Sequence, residues 1–575
     1  MTESNKQQKS VIVVGAGVGG VSTAARLAKA GFKVTIVEKN DFTGGRCSLI
    51  HHDGYRFDQG PSLLLLPRFF HEIFQDLGTS LTAEGVELLK CEPNYNIWFG
   101  DGSSFEMSTD LTKMKKAIEA VEGIDGFERY LGFLQESHRH YEVSVESVLR
   151  RNFTSILSLA RPEVLFNLFN IHPLESIWTR ASKYFWTERL RRVFTFGSMY
   201  MGMSPFDAPG TYSLLQYTEL AEGILYPRGG FHKVVEALVN VGQRLGVEYR
   251  LSTDVKSISI DQATGKTNGV VLGDGTLLQS DIVISNADLV YTYNNLLPKS
   301  SYANSLSKRE ASCSSISFYW SASKVIPELN AHNIFLADEY QESFDSIFKD
   351  HLIPTKPSFY VNVPSRIDPS AAPEGRDSVV VLVPVGHLLS DSAGTHRGLS
   401  KSTGKSGEIV NSGQDWEQMI SLARDTVIST MKARIGVDLA PLITHEIINT
   451  PYTWQEKFNL DKGAILGLSH SIMNVLAFRP GTQHSKYKNL YFAGASTHPG
   501  TGVPVCIAGS KIVAEQILRD SGFKTHEIPW TQNSTKSPKT GLDKLQDTSA
   551  LTLFQGFLGA LVAILLAYYY LVIAA

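Results

Sequence analysis

A short β-branched apolar run, Ser10 to Val14, stops at the glycine turn Gly15-Ala-Gly17-Val-Gly-Gly20. Apolar residues at helical spacing follow from Val21 to Lys29, Gly31 ends that stretch, and Val34 to Val37 forms a second apolar run closed by Glu38. Strand, helix and strand in that order predict a βαβ unit. Its glycines suit a dinucleotide: Gly15 permits the tight turn, Gly17 leaves room for pyrophosphate, and Gly20 lets the helix pack on the sheet. The helix N-terminus offers unpaired amides to phosphate. Glu38 is placed to accept hydrogen bonds from a ribose diol, which argues against a 2′-phosphorylated adenosine. The competing reading is a tight turn in an ordinary α/β domain.

Farther along, Tyr226-Pro-Arg228-Gly-Gly230-Phe231 precedes a helical stretch from His232 to Leu245. Val247 to Leu251, Val255 to Ile260, Gly269 to Leu272 and Asp281 to Ser285 then read as successive strands. Near the end, Lys488 to Phe492 leads into the turn Gly494 to Gly502 and a helical run from Val505 to Leu518. This repeats the strand, glycine turn and helix plan, so a second helix N-terminus is expected at the same ligand. The intervening regions differ. Residues 125–222 are helical in pattern and rich in Phe, Trp, Leu and Arg, while 311–450 contain the strand-like runs Ser314 to Trp320 and Val379 to Val385. The expected fold class is therefore α/β, with a Rossmann-like nucleotide domain assembled from the non-contiguous segments 8–124, 223–310 and 451–530. A helical region, 125–222, and a mixed α+β substrate domain, 311–450, lie between them.

The C-terminus changes the picture. No Asp, Glu, Lys, Arg or His occurs from Thr548 to Ala575, and Phe557 to Ala575 would span roughly 28 Å as a helix. Residues 531–547 before it read as a solvated linker, so 548–575 is expected to be a single transmembrane anchor. Lys536, Lys539 and Lys544 on its near flank place the catalytic mass in the cytosol, at the endoplasmic reticulum. With 54 Lys and Arg against 57 Asp and Glu, the charge gives no reason to expect a nucleic-acid partner. Cys47, Cys91, Cys313 and Cys506 are far apart, without metal or disulfide spacing, and read as free thiols. No metal is indicated by the histidines either.

Gly44-Gly45-Arg46 follows the first unit, and then Gly54-Tyr-Arg-Phe57-Asp58-Gln-Gly60-Pro61-Ser62. In this order the motifs resemble the FAD-containing amine oxidase and carotenoid desaturase superfamily. Thr497-His498-Pro-Gly-Thr-Gly502, Tyr226-Pro-Arg-Gly-Gly and Phe206-Asp207-Ala-Pro-Gly210 narrow the resemblance to phytoene desaturases of the bacterial and fungal type. It implies an FAD-binding domain holding noncovalent FAD on Gly15, Gly17, Gly20, Glu38, Arg46, Gly60, Pro61, Ser62, Val255, Gly494, Thr497, Gly502 and Val503. NAD, associated with fungal relatives, finds no second convincing site. The implied reaction is stepwise desaturation of 15-cis-phytoene toward lycopene, with 3,4-didehydrolycopene as a further product, by hydride transfer to FAD. Oxygen or a quinone would accept the electrons, the carotenoid would come from membrane lipid, and phytoene synthase or a second copy would be partners. His498, Glu446, His445, Asp207 and Arg228 are the candidate polar groups for acid–base work. Other readings stay open: a carotenoid isomerase, a carotenoid oxidase, an amine oxidase, or a non-enzymatic escort protein on the same fold.

Overall fold

In the computed structural model the described residues are 8–161, 171–389 and 414–531, with Val164, Asn167, Ser402–Thr403 and Ile409–Val410 between these stretches. Two sheets organise them. The first is a five-stranded parallel sheet in the order Leu490–Phe492, Ile282–Ser285, Ser10–Val14, Lys33–Val37 and Glu248–Arg250. Its strands come from three distant parts of the chain, so the Rossmann-like domain is indeed built from non-contiguous segments. Its central strands bury nearly every side chain, as expected of a parallel sheet covered on both faces, here by helices on one side and largely by a second, antiparallel sheet on the other.

The helix Val18–Lys29 packs against both Val503–Asp520 and His232–Arg244. Arg26 locks this packing. It is fully buried, pairs with Asp76 at 2.9 Å, and donates to Ser510 Oγ at 2.5 Å and to the Ile507 carbonyl at 3.2 Å. One guanidinium thus holds together three helices, those at 18–29, 67–76 and 503–520. A three-stranded antiparallel sheet, Val255–Asp261, Lys266–Leu272 and Leu277–Gln279, lies beside this layer.

The second large sheet has seven strands in the order Ile443–Asn449, Ser314–Ala322, Asp377–Val385, Phe359–Asn362, His332–Phe335, Tyr95–Trp98 and Ser104–Met107. All pair antiparallel except His332–Phe335 with Tyr95–Trp98. The hairpin at 95–107, early in the chain, thereby joins strands from far downstream. Along Ser314–Ala322 the two-residue period of a strand sorts the faces. Ile316, Phe318, Trp320 and Ala322 join the core under the helix Trp416–Ile435, whose Met419, Ala423, Val427 and Met431 form one apolar stripe. Ser315, Ser317 and Tyr319 face the other way. Tyr319 donates to the Gln59 carbonyl at 2.7 Å and so ties this sheet to the glycine-rich segment ending in Ser62.

The expected architecture needs one correction. Among the described residues no helix is long and apolar enough to cross a membrane. The transmembrane helix is therefore withdrawn from the fold class, together with the membrane-anchored, endoplasmic-reticulum placement that rested on it. The segment 548–575 and the linker before it, read from apolar length and charge alone, lie outside the described residues.

Candidate functional site

The turn that ends the first strand is held by its own backbone. Gly15, at φ +98°, donates its N–H to the Val37 carbonyl at 2.8 Å, a conformation that a side chain would strain. A Cβ on Gly20 would lie 2.2 Å from the Gly15 carbonyl oxygen, so Gly20 is required by helix packing. A Cβ on Gly17 would come within 2.9 Å of Asn286 Nδ2, so the room at Gly17 is also set by a side chain that the sequence did not single out. Gly17 caps the helix Val18–Lys29 without a side-chain hydrogen bond, which leaves the first-turn amides available.

Glu38 is buried and heavily used. Its Oε2 accepts from the Ala16 N–H at 2.7 Å, and its Oε1 accepts from both the Asn40 N–H and Asn40 Nδ2 at 2.9 Å. Three donors fix the carboxylate in orientation, while the residue still lines the central cavity. Arg46 lies in the 3₁₀ turn Gly45–Cys47, pressed so closely on the next segment that a Cβ on Gly60 would stand 2.5 Å from the Arg46 carbonyl oxygen. Among the described residues the Arg46 guanidinium has neither a hydrogen bond nor an ion pair, and it borders the cavity. A cation without a partner beside two open helix ends is suited to an anion.

The second helix N-terminus comes from the turn after Leu490–Phe492. Gly494 and Gly502 have φ of +112° and +101°, and Gly502 caps Val503–Asp520 with no side-chain bond. Arg479, which the sequence reading passed over, organises this turn. It is buried and donates to five main-chain carbonyls, those of Thr497, Ser469, Asn474, Leu468 and Ala495. Burial pulls its guanidinium down to about 10. Nothing in the local pattern marks it, because all its partners are carbonyls brought there by the fold.

These parts share one cavity of about 480 Å³. Gly15, Gly17, Glu38, Arg46, Gly60, Pro61, Ser62, Val255, Gly494, Thr497, Gly502 and Val503 all border it, and Gly20 stands just behind the turn. The cavity continues along an apolar wall that includes Phe196, Met201, Ile334, Leu336, Tyr340 and Phe344. Its shape joins a polar cleft for a charged, extended molecule to a slot for an uncharged one. Cys47 and Cys506 also border it, with thiols that burial pushes up to about 12 and about 11.

The candidate acid–base residues are elsewhere. His498 is buried but turned away from the cavity, with Nε2 donating to the Arg151 carbonyl at 2.7 Å, and burial lowers its imidazole to about 4. Glu446 lies opposite Trp320 in the sheet register and accepts from Trp320 Nε1 at 2.5 Å and Arg424 at 3.0 Å, on the helix side. His445 stacks on His52 with ring centroids 3.5 Å apart. Asp207 is exposed, and Arg228 pairs with Glu87 at 2.7 Å in solvent. None of the five borders the cavity. Sequence spacing could not reveal which way each side chain points. It also hid a convergence of Glu136, His140 and His172, whose ligand atoms lie within 4.8 Å of one another; there Arg180 and Tyr184 already occupy the carboxylate.

Comparison with known proteins agrees with this geometry. The profile of the family described as "Flavin containing amine oxidoreductase" matches residues 18–397. A phytoene desaturase of Fusarium fujikuroi is 92% identical over 568 residues, covering 99% of each chain. A phytoene desaturase of Neurospora crassa is 59% identical, covering 92% of this chain and 88% of that one. Among solved structures, an oxidoreductase from Methanosarcina mazei superposes with a TM-score of 0.56 at 16% identity, covering 88% of this chain and all of that one, a likeness of fold.

Proposed function

The chain belongs to the flavin-containing amine oxidoreductase family and, within it, to the fungal-type phytoene desaturases, and from this we infer that it converts phytoene toward lycopene-type carotenoids by FAD-dependent dehydrogenation. The observation that carries the reading is the single cavity that runs from two open helix N-termini to an apolar wall.

The residues present fit FAD. The Glu38 carboxylate, oriented by Ala16 and Asn40, would accept the adenosine ribose hydroxyls with its remaining lone pairs. The amides after Gly17 and Gly502 and the free Arg46 guanidinium would hold the pyrophosphate and ribityl chain. Val255 would present its backbone to adenine, and the segments Gly60–Ser62 and Gly494–Val503 would flank the ring system. We propose noncovalent attachment, since Cys47 and Cys506 stay protonated at working pH and are poor nucleophiles.

When bound, FAD supplies the two-electron oxidation that a desaturation needs. The protein's part is to exclude water and orient one carbon–carbon bond of the polyene precursor at the flavin edge. Its apolar wall makes few polar demands, so a long hydrocarbon could advance between successive reactions. Oxygen or a quinone would take the electrons afterwards. The test is anaerobic incubation of the FAD-loaded protein with phytoene in liposomes. Bleaching of the flavin together with growth of conjugated polyene absorbance is expected; correctly loaded protein that gives neither refutes the reading.

A further inference from the structure

Beside the apolar stretch, part of the cavity wall is polar, and nothing described so far uses it. Tyr200 borders the cavity and donates its hydroxyl to Tyr95 Oη at 2.5 Å. Tyr95 donates in turn to Glu219 Oε1 at 3.1 Å. Tyr95 and Glu219 are both 0% exposed. The second carboxyl oxygen of Glu219 is buried with no hydrogen-bond partner, and among the described residues no cation pairs with this carboxyl. Leaving such a group buried and half satisfied costs roughly 1–3 kcal/mol, so a purely architectural role is a poor use of it.

The neighbours define its state. Tyr360, also on the wall, has its hydroxyl 2.8 Å from Ser62 Oγ and 2.7 Å from His332 Nδ1. Asn362 Nδ2 lies 3.2 Å from the same ring nitrogen, so His332 Nδ1 is an acceptor and the ring carries its proton on Nε2. Burial drives His332 down to about 3, which keeps it neutral. Glu222, one turn beyond Glu219, is occupied by Tyr141 and Thr218. The titratable groups around Glu219 are thus Tyr95, Tyr200, Tyr360, His332 and Glu222. Burial lifts Glu219 itself to about 8, which makes it the member of this patch that changes charge near neutrality.

We propose that Tyr200, Tyr95 and Glu219 form a proton path leading out of the cavity, with the Glu219 carboxylate as its terminus. The proposal rests on the desaturase reading. Desaturation breaks two C–H bonds on adjacent carbons. One leaves as hydride, both electrons going to the flavin as oxidant; the other leaves as a proton, its electron pair becoming the new C=C bond. Tyr200 Oη takes that proton while passing its own to Tyr95, and Tyr95 passes its own to Glu219. Both hydroxyls already donate toward Glu219, the direction such a transfer requires. Tyr200 would be the catalytic residue here, and Tyr95 and Glu219 would act through it.

The test uses full-length, FAD-loaded protein and phytoene in liposomes, comparing wild type with Glu219→Gln, Tyr95→Phe and Tyr200→Phe. Wild-type turnover should rise about tenfold per pH unit below about 8 and level off above it. Each variant should lose roughly 10²-fold and lose that pH limb. In substrate-free protein, infrared difference spectra should show a protonated carboxyl that titrates near 8 and is missing from Glu219→Gln. If Glu219→Gln fails to load FAD, the two Phe variants decide by their pH profiles. A wild type that converts phytoene while the variants keep its rate and pH profile overturns the proposal alone. A wild type that yields neither polyene nor bleaching removes the desaturase reading and this proposal together.

Discussion

Replacing Glu38 with glutamine changes one oxygen of the carboxylate to an amide nitrogen, at nearly constant volume. In the structure that carboxylate serves two separate sets of donors, the Ala16 N–H on Oε2 and the paired Asn40 donors on Oε1. An amide has only one acceptor oxygen. Whichever way it turns, its NH₂ faces a donor on one side, and the better choice keeps Asn40 and loses Ala16. A hydrogen bond to a charged group is worth about 1.5–3 kcal/mol, so the variant should be less stable by about that amount. Losing one acceptor for the ribose diol should weaken FAD binding by roughly 10- to 100-fold, about 1.4–2.8 kcal/mol. The assay is fluorescence titration of apoprotein with FAD, beside thermal unfolding of the apo form. A variant that binds FAD as tightly as wild type would refute the assignment of Glu38 to the ribose. Unchanged apo stability would refute the argument from its three internal donors.

Other outcomes follow from the same geometry. Gly20→Ala sets a methyl 2.2 Å from the Gly15 carbonyl oxygen, a backbone atom, and 3.1 Å from Asn286 Nδ2, so a loss of about 1–3 kcal/mol in stability and weaker FAD retention on gel filtration are expected. Arg479→Met strips the donor from five carbonyls and should cost about 3–5 kcal/mol, with FAD lost from the purified protein; a yellow, stable variant would contradict the clamp. Glu219 titrates near 8 when folded against an ordinary 4.5. A raised carboxyl favours the folded state while the unfolded chain too is protonated, below 4.5, and that advantage is lost as pH rises toward 8. Relative to Glu219→Gln, wild type should therefore lose about 1.4 kcal/mol per pH unit across that window, up to about 5 kcal/mol, read as diverging thermal midpoints. Parallel midpoints across pH would show that the carboxyl is not held neutral.

Local pattern was enough to identify the βαβ unit, because a tight turn between strand and helix demands glycine, and it located Glu38 at the end of the second strand. It also indicated a second glycine turn and helix at 490–518, since the same physics repeats there. The membrane-spanning helix rested on apolar length, missing charge and a polar linker before it, and no described helix is long and apolar enough to cross a membrane. The catalytic candidates show where sequence reasoning stops. His498 is adjacent to Thr497 on the cavity, yet its imidazole faces Arg151; Glu446 is on a strand of the seven-stranded sheet, yet on the face toward the helix Trp416–Ile435. A polar residue near a motif carries no information on the direction of its side chain. Asn286 and the Tyr200–Tyr95–Glu219 chain were invisible because their partners are more than 100 residues away, and Arg479 because its five partners, 5 to 18 residues away, are main-chain carbonyls that carry no side-chain signature. By itself the sequence determined which backbone turns were possible and therefore which ligand class could be held, because those constraints act between neighbours along the chain. Only the tertiary structure decided which polar groups meet inside the cavity, because burial and hydrogen bonding depend on what the fold brings from far away.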